Sequence, residues 1–170
     1  MKTYKDLYEA VEAANGTLLF RKGTIRKTES QLHDNEQIFF AGLATFKTNL
    51  IGVLVITQHR VFGHAASLGD FYFQEIPINK VRKINYSTIG KKLNIYGDVC
   101  TIDSEVVNRS TLKIIAQTIN ELKSSQSNEK NIEEEKNINV KQLKDLKELL
   151  DMGIISSDEF EAKKKQILNL

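Results

Sequence analysis

The chain is poor in the residues that staple, kink or metallate a fold. Among 170 residues there is one cysteine, Cys100, and one proline, Pro77. A single cysteine excludes an intramolecular disulfide framework and leaves no cysteine-based zinc site. Charge of one sign is also missing: 24 Lys and Arg stand against 22 Asp and Glu, a net +2. A dedicated nucleic-acid binder usually carries a large basic excess, so this balance points away from that class. No apolar run approaches the ~20 residues that span a bilayer. The opening MKTYKDLYEA lacks the apolar stretch of a secretory signal. These shortages describe a cytoplasmic, reduced protein. What remains is an ordinary globular composition, 41% apolar and 27% charged.

Charge and hydrophobicity change together at Lys123. From there the chain reads KSSQSNEKNIEEEKNIN, with isolated isoleucines and no aromatic residue. Such a stretch buries too little apolar surface to offset the cost of ordering its backbone. Residues 124–139 are therefore expected to be a flexible polar linker, although the EEEK portion could extend a helix from either side. The net charge divides at the same place, with +4 over residues 1–123 and −2 over 124–170.

Before that boundary the periodicities give helix, strands, helix. Tyr4, Leu7, Tyr8, Val11 and Ala14 recur at helical spacing, with Thr3 and Asp6 as a capping pair and Asn15-Gly16 as a stop. A second, shorter helix is expected over 24–33, marked by Ile25, Glu29 and Leu32; the alternative is a hairpin turning at Lys22-Gly23. Between Glu36 and Asp103 seven short β-branched and aromatic segments follow one another about every ten residues, broken at Thr48-Asn49, Gln58-His59, Gly69-Asp70 and Gly97-Asp98. That spacing predicts an antiparallel sandwich or small barrel. A helix over 108–123 follows, with Leu112, Ile115, Ala116, Ile119 and Leu122 forming a stripe that can cover one end of the sheet.

Several stretches of this body resemble the bacterial pleckstrin-homology-like (PH-like) domains of the YokE-like group. Thr57, the two-residue turn Gln58-His59 and Arg60 match one step of that pattern. Ile76, Pro77, Lys80 and Val81 match another. The resemblance covers residues 24–123, with 1–23 as an N-terminal amphipathic helix and loop. It implies a seven-stranded antiparallel barrel or sandwich capped by a C-terminal helix. It also implies self-association into homo-oligomers through sheet edges, which expose unpaired backbone groups.

Residues 140–170 resemble the short C-terminal domain, SHOCT: a leucine-striped helix, a turn through Gly153-Ile154-Ile155, and a second helix carrying Glu159, Phe160, Lys163 and Lys164. The residues support an αα-hairpin without the family. Leu143, Leu146, Leu149 and Leu150 share one helix face, Met152-Gly153 ends it, and Ser156 with Glu159 makes a capping box. Chains below ~40 residues rarely fold alone without a metal, disulfide or partner. The apolar stripe Leu146, Leu149, Leu150, Ile154, Ile155 and Phe160 is thus expected to dock on another copy, on the body or on a different protein.

No catalytic constellation emerges. His33, His59 and His64 lack a completing cluster of carboxylates or thiols, Cys100 falls in an expected strand as a small apolar residue, and the glycines form no phosphate loop. No enzyme, cofactor or metal site is expected. A lipid surface is the alternative reading: Lys47 is the one cation of the first strand–strand loop, and Arg21, Lys22, Arg26 and Lys27 form a separate upstream patch. One lysine adds only ~1 kcal/mol at an anionic surface. Nucleic acid would have to use Lys141, Lys144, Lys147 and Lys163–Lys165, which are interleaved with Asp145, Glu148, Asp151 and Glu161. The expected function is a non-enzymatic interaction or scaffold protein.

Overall fold

The computed structural model describes residues 3–16, 22–67 and 69–168, with backbone only at 48 and 129–139. Two compact units divide it, Met1–Ser124 and Ser125–Leu170. In the first unit, helix α1 (Leu7–Asn15) begins at Asp6, whose carboxylate accepts from the Glu9 N–H at 2.8 Å. The cap is thus Asp6 itself rather than a Thr3–Asp6 pair. Tyr4, just upstream, makes a lone bridge to Ile38. The helix stops where Gly16 adopts φ +78° and donates to Glu12, a left-handed conformation that glycine enters without a Cβ clash. Helix α2 (Lys22–Glu29) contains the Lys22-Gly23 pair at its start, so the hairpin alternative does not form there and the helix ends earlier than expected. Residues 17–21, the rest of that alternative, lie outside the described residues.

Seven strands follow: β1 (Ile38–Phe46), β2 (Ile51–Thr57), β3 (Arg60–Ala66), β4 (Phe71–Pro77), β5 (Lys83–Ser87), β6 (Lys92–Tyr96) and β7 (Thr101–Val106). They form one antiparallel sheet in the order β4-β3-β2-β1-β7-β6-β5, so all neighbours except β1 and β7 are joined by short turns. The sheet does not close by strand pairing, and β4 and β5 are its two edges. It curls enough for the Gly97 position to lie against Ile76 and for Cys100 Sγ to donate to the Glu75 carbonyl at 3.3 Å.

Strands β1, β2 and β3 are buried along almost their whole length instead of on alternate residues. The reason is that both faces are covered. On one face Leu7, Ala10 and Val11 of α1 and Ile25 of α2 pack with Ala41, Val53, Val55 and Phe62. On the other, Leu112, Ile115, Ile119 and Leu122 pack with Phe40, Leu54, Ile56, Leu93 and Ile102. The last stripe is the one expected from the sequence, with Ala116 half-buried beside it. A strand buried on both faces reads as a continuous apolar run, and IFFAGLATF is such a run.

Helix α3 runs from Thr111 to Asp151. Its backbone passes without interruption through 124–139, where a flexible linker is expected. That stretch contains no glycine or proline, and Glu, Lys and Gln are good helix formers. The second unit ends with helix α4 (Ser157–Leu168).

Candidate interaction surfaces

The turn between α3 and α4 is built from local chemistry. Gly153, at φ +73°, follows Met152, donates to the Leu150 carbonyl at 2.9 Å, and the next N–H, that of Ile154, reaches back to Leu149 at 3.0 Å. This pair of bonds is a Schellman stop, which satisfies carbonyls that a helix end would otherwise leave open. Ser156 then opens α4. Its N–H donates to Glu159 Oε2 at 2.8 Å while the Glu159 N–H donates to Ser156 Oγ at 3.3 Å, a complete capping box. The Ser156 N–H and the Ser156 hydroxyl, which donates to the same Oε2 at 2.9 Å, hold the Glu159 carboxyl below its usual range. Every device expected for the hairpin turn is present.

The hairpin has no buried residue among those described. Leu143, Leu146, Leu149, Leu150, Ile155, Phe160 and Ile167 are all half-buried, and Ile154 is 64% exposed. The apolar stripe singled out from the sequence is therefore assembled on one small unit and left partly uncovered there. Two of its lysines are answered locally: Lys147 pairs with Asp151 at 2.6 Å, and Lys164 with Glu161 at 3.0 Å while lying over the Phe160 ring.

In the body, the most polar cluster is structural. Arg60 opens β3 with its side chain only 8% exposed, facing Glu36 at 2%. Its Nε and Nη2 both donate to Glu36 at 2.8 Å, Nη2 also donates to the Gln31 carbonyl at 2.7 Å, and Nη1 pairs with Glu75 on β4. The guanidinium lies 4.7 Å over the Phe62 ring. Thr57 completes the set: its hydroxyl donates to Glu36 and accepts from the Arg60 N–H. Burial alone would raise the Glu36 carboxyl. The bonds from Arg60, the His33 N–H and Thr57 outweigh it and bring the group down to about 2. Thr57 and Arg60 stood out in the sequence as a pattern; Glu36, their third member, did not, because nothing local marks a partner twenty-four residues away.

His64 sits under α2, buried, with Nδ1 2.8 Å from Thr28 Oγ1 and its ring edge-on to Phe71 and Phe73. Burial, with a smaller contribution from Lys27, lowers its pKa. His59 is exposed in the β2–β3 turn. Cys100 is half-exposed and precedes β7 rather than lying inside a strand, and burial raises its thiol pKa. Among the described residues no group of three or more His, Cys, Asp or Glu is placed to hold a metal.

The basic residues considered for lipid do not converge. Lys47 follows β1 and lies 3.5 Å from Asp103 on β7. Lys22, Arg26 and Lys27 project from α2, with Lys22 5.9 Å over the Tyr8 ring. Arg21 lies outside the described residues. Among those described, no helix is long and apolar enough to cross a membrane.

A capped two-helix hairpin with an uncovered apolar stripe defines a small C-terminal interaction module. Residues 141–168 match the family of the short C-terminal domain, SHOCT. No curated protein matches the chain.

Proposed function

We propose that this protein is a non-enzymatic interaction protein, with a PH-like body that self-associates and a SHOCT tail that docks on itself or on a protein partner. The observation that carries the proposal is the tail's partly uncovered apolar stripe: a unit whose helices are capped with care yet hold no fully buried residue among those described has a surface meant to be covered from outside. Support for the PH-like reading of the body comes from the seven-strand antiparallel order and from a helix packed across it after the last strand.

For self-association the β4 edge is the better candidate. It presents Phe71, 68% exposed, next to half-buried Tyr72 and Phe73, beside a row of backbone groups without a further strand. The membrane-surface alternative is the weaker reading. Among the described residues it keeps the α2 cations, worth ~1 kcal/mol each at an anionic surface, since Lys47 faces Asp103.

Light scattering on the full chain tests the proposal, together with Leu149→Asp in the tail and Phe71→Lys at the β4 edge. The wild-type protein should be larger than a monomer, and Phe71→Lys should reduce its mass. Leu149→Asp should abolish tail-dependent capture of partners or copies with the body still folded. A strictly monomeric wild type would remove the self-association, and unchanged capture by Leu149→Asp would remove the tail assignment. Co-sedimentation of the chain with anionic liposomes at low salt would favour the alternative.

A further inference from the structure

The charges of the tail hairpin cancel in sum but not in place. Between Val140 and Leu168 the chain turns once, around Gly153, so residues 140–151 of α3 and the twelve residues of α4 form two arms, each about 18 Å long. Leu143 and Ile167, far from the turn, are half-buried like Leu150 and Phe160 beside it, so the arms lie together along their length. The half nearest the turn holds Glu148, Asp151, Asp158, Glu159 and Glu161 against Lys147. The half at the open end holds Lys141, Lys144, Lys163, Lys164 and Lys165 against Asp145. One half is thus −4 and the other +4.

Helix dipoles account for only part of this division. Acid in the first turn and base in the last suit α4, which Asp158 and Glu159 open and Lys165 closes. On α3 the order is reversed. Glu148 and Asp151 lie at its C-terminal end, where the dipole favours cations, and its last turn has no basic residue. Lys141, Lys144, Lys163 and Lys165 have no ion-pair partner among the described residues. Exposed apolar side chains gather at the same two ends: Met152 and Ile154 at the turn, Val140 and Leu168 opposite. Beside Val140 lies an open hollow of about 450 Å³, lined by Leu143, Lys144, Lys147 and Glu148.

We propose that this hairpin pairs with the hairpin of a second copy of the chain, antiparallel and about a two-fold axis, so that the turn of each covers the open end of the other. The inference rests on the reading of the tail as a docking surface and names what docks there. The uncovered part of the stripe from Leu143 to Leu150 meets its counterpart at the centre. Met152 and Ile154 of one copy enter the hollow beside Val140 of the other. The acidic half of each hairpin then lies on the basic half of its counterpart, and the contact is made twice because a two-fold interface repeats itself. Parallel pairing would set like charge on like at both ends. Charge therefore selects the orientation, and the apolar contacts supply the affinity.

Crosslinking of the full chain reads the orientation. In a Cys100→Ser background, which removes the native thiol, Val140→Cys and Ile154→Cys are placed on separately tagged copies and mixed with a short bismaleimide. The 140–154 product should predominate, with the 140–140 and 154–154 products no higher than in urea. Charge reversal tests the cause. One variant carries Glu148→Lys, Asp151→Lys and Glu161→Lys; the other carries Lys141→Glu, Lys144→Glu and Lys165→Glu, all at exposed positions. Each variant with itself should need at least about tenfold more protein to form the 140–154 product, and mixing the two should restore it. Lysines at the end of α3 suit its dipole, so the loss in the first variant does not come from an unfolded helix. A dominant 154–154 product would mean parallel pairing and overturn the proposal. So would unchanged pairing in either variant alone, or no recovery on mixing. If no tail product exceeds the urea control while Leu149→Asp still weakens capture of another protein, the tail docks on a different partner and the second copy is excluded. If Leu149→Asp changes neither, the reading of the tail falls with it.

Discussion

The body and the tail solve the same problem, how to hold helices in place, by different means. In the body, α1 and α2 on one face and the first turns of α3 on the other sandwich β1, β2 and β3, and every buried residue among those described lies at or before Leu122. In the tail, α3 and α4 are held by a Schellman stop and a capping box, with no buried side chain among those described. Core burial contributes several kcal/mol per large residue; a cap contributes about 1. The body is thus specified by tertiary packing, and the tail by local signals that shape it for something else to cover.

The sharpest way to break this contrast is Arg60→Ala. Removing the guanidinium leaves Glu36, 2% exposed, as an uncompensated buried charge and releases Gln31 and Glu75 together. Such losses cost about 3–5 kcal/mol, so the urea midpoint of the body should fall steeply while hydrogen exchange in α4 stays as in the wild type. A small change would mean that the cluster is solvated and that packing alone holds the body. A matched pair on one helix comes next. Leu112→Ala, at a fully buried site, should cost about 2–5 kcal/mol in the same urea experiment. Leu149→Ala, at a half-buried site of the same helix α3, should cost less than about 1 and register instead as weaker association. Equal costs would show that the tail carries a core after all.

Acid should weaken the body without mutation. The Glu36 carboxyl is near 2 when folded and ionises near 4.5 when not. Between those values the unfolded chain binds the proton first, so stability present above pH 4.5 drains as pH falls toward 2. A shift of this size corresponds to about 3 kcal/mol. His64 adds in the same sense, since its pKa is lowered in the fold and protonation below the ordinary value of 6.5 favours unfolding. An acid titration of the unfolding free energy should therefore slope upward with pH, and Glu36→Gln should flatten it below pH 4.5.

What could be read in advance follows the same division. The hairpin's stop and cap are set by residues within five positions of one another, so Gly153, Ser156 and Glu159 announced them. The strands were legible from β-branched runs and turn residues, and the α3 stripe from its spacing. The covering of the outer face by α1 and α2 was not, because an amphipathic helix does not say which sheet face it meets. Continuous burial in IFFAGLATF was the available hint. The helix through 124–139 stood only as the alternative to a linker, because low hydrophobicity argues for disorder while helix propensity argues the other way, and composition does not weigh them. The tail stripe was visible as sequence.

Ser156→Ala carries the smallest expected effect and the finest resolution of the contrast. The substitution removes the hydroxyl that accepts from the Glu159 N–H. It leaves the Ser156 N–H in reach of Glu159, so half of the capping box survives. A lost cap of this kind costs about 1 kcal/mol of helix stability. Because α4 shares no buried residue with anything described, that loss should not appear in the unfolding midpoint of the body. It should appear as faster hydrogen exchange in the first turn of α4 and as weaker capture of whatever covers Phe160, since a frayed helix must be re-formed before it docks. Faster exchange with undiminished capture would confine the docking surface to α3. A shift in the body's midpoint would instead show that the two units are energetically one, and the division between packing and local signals would have to be abandoned.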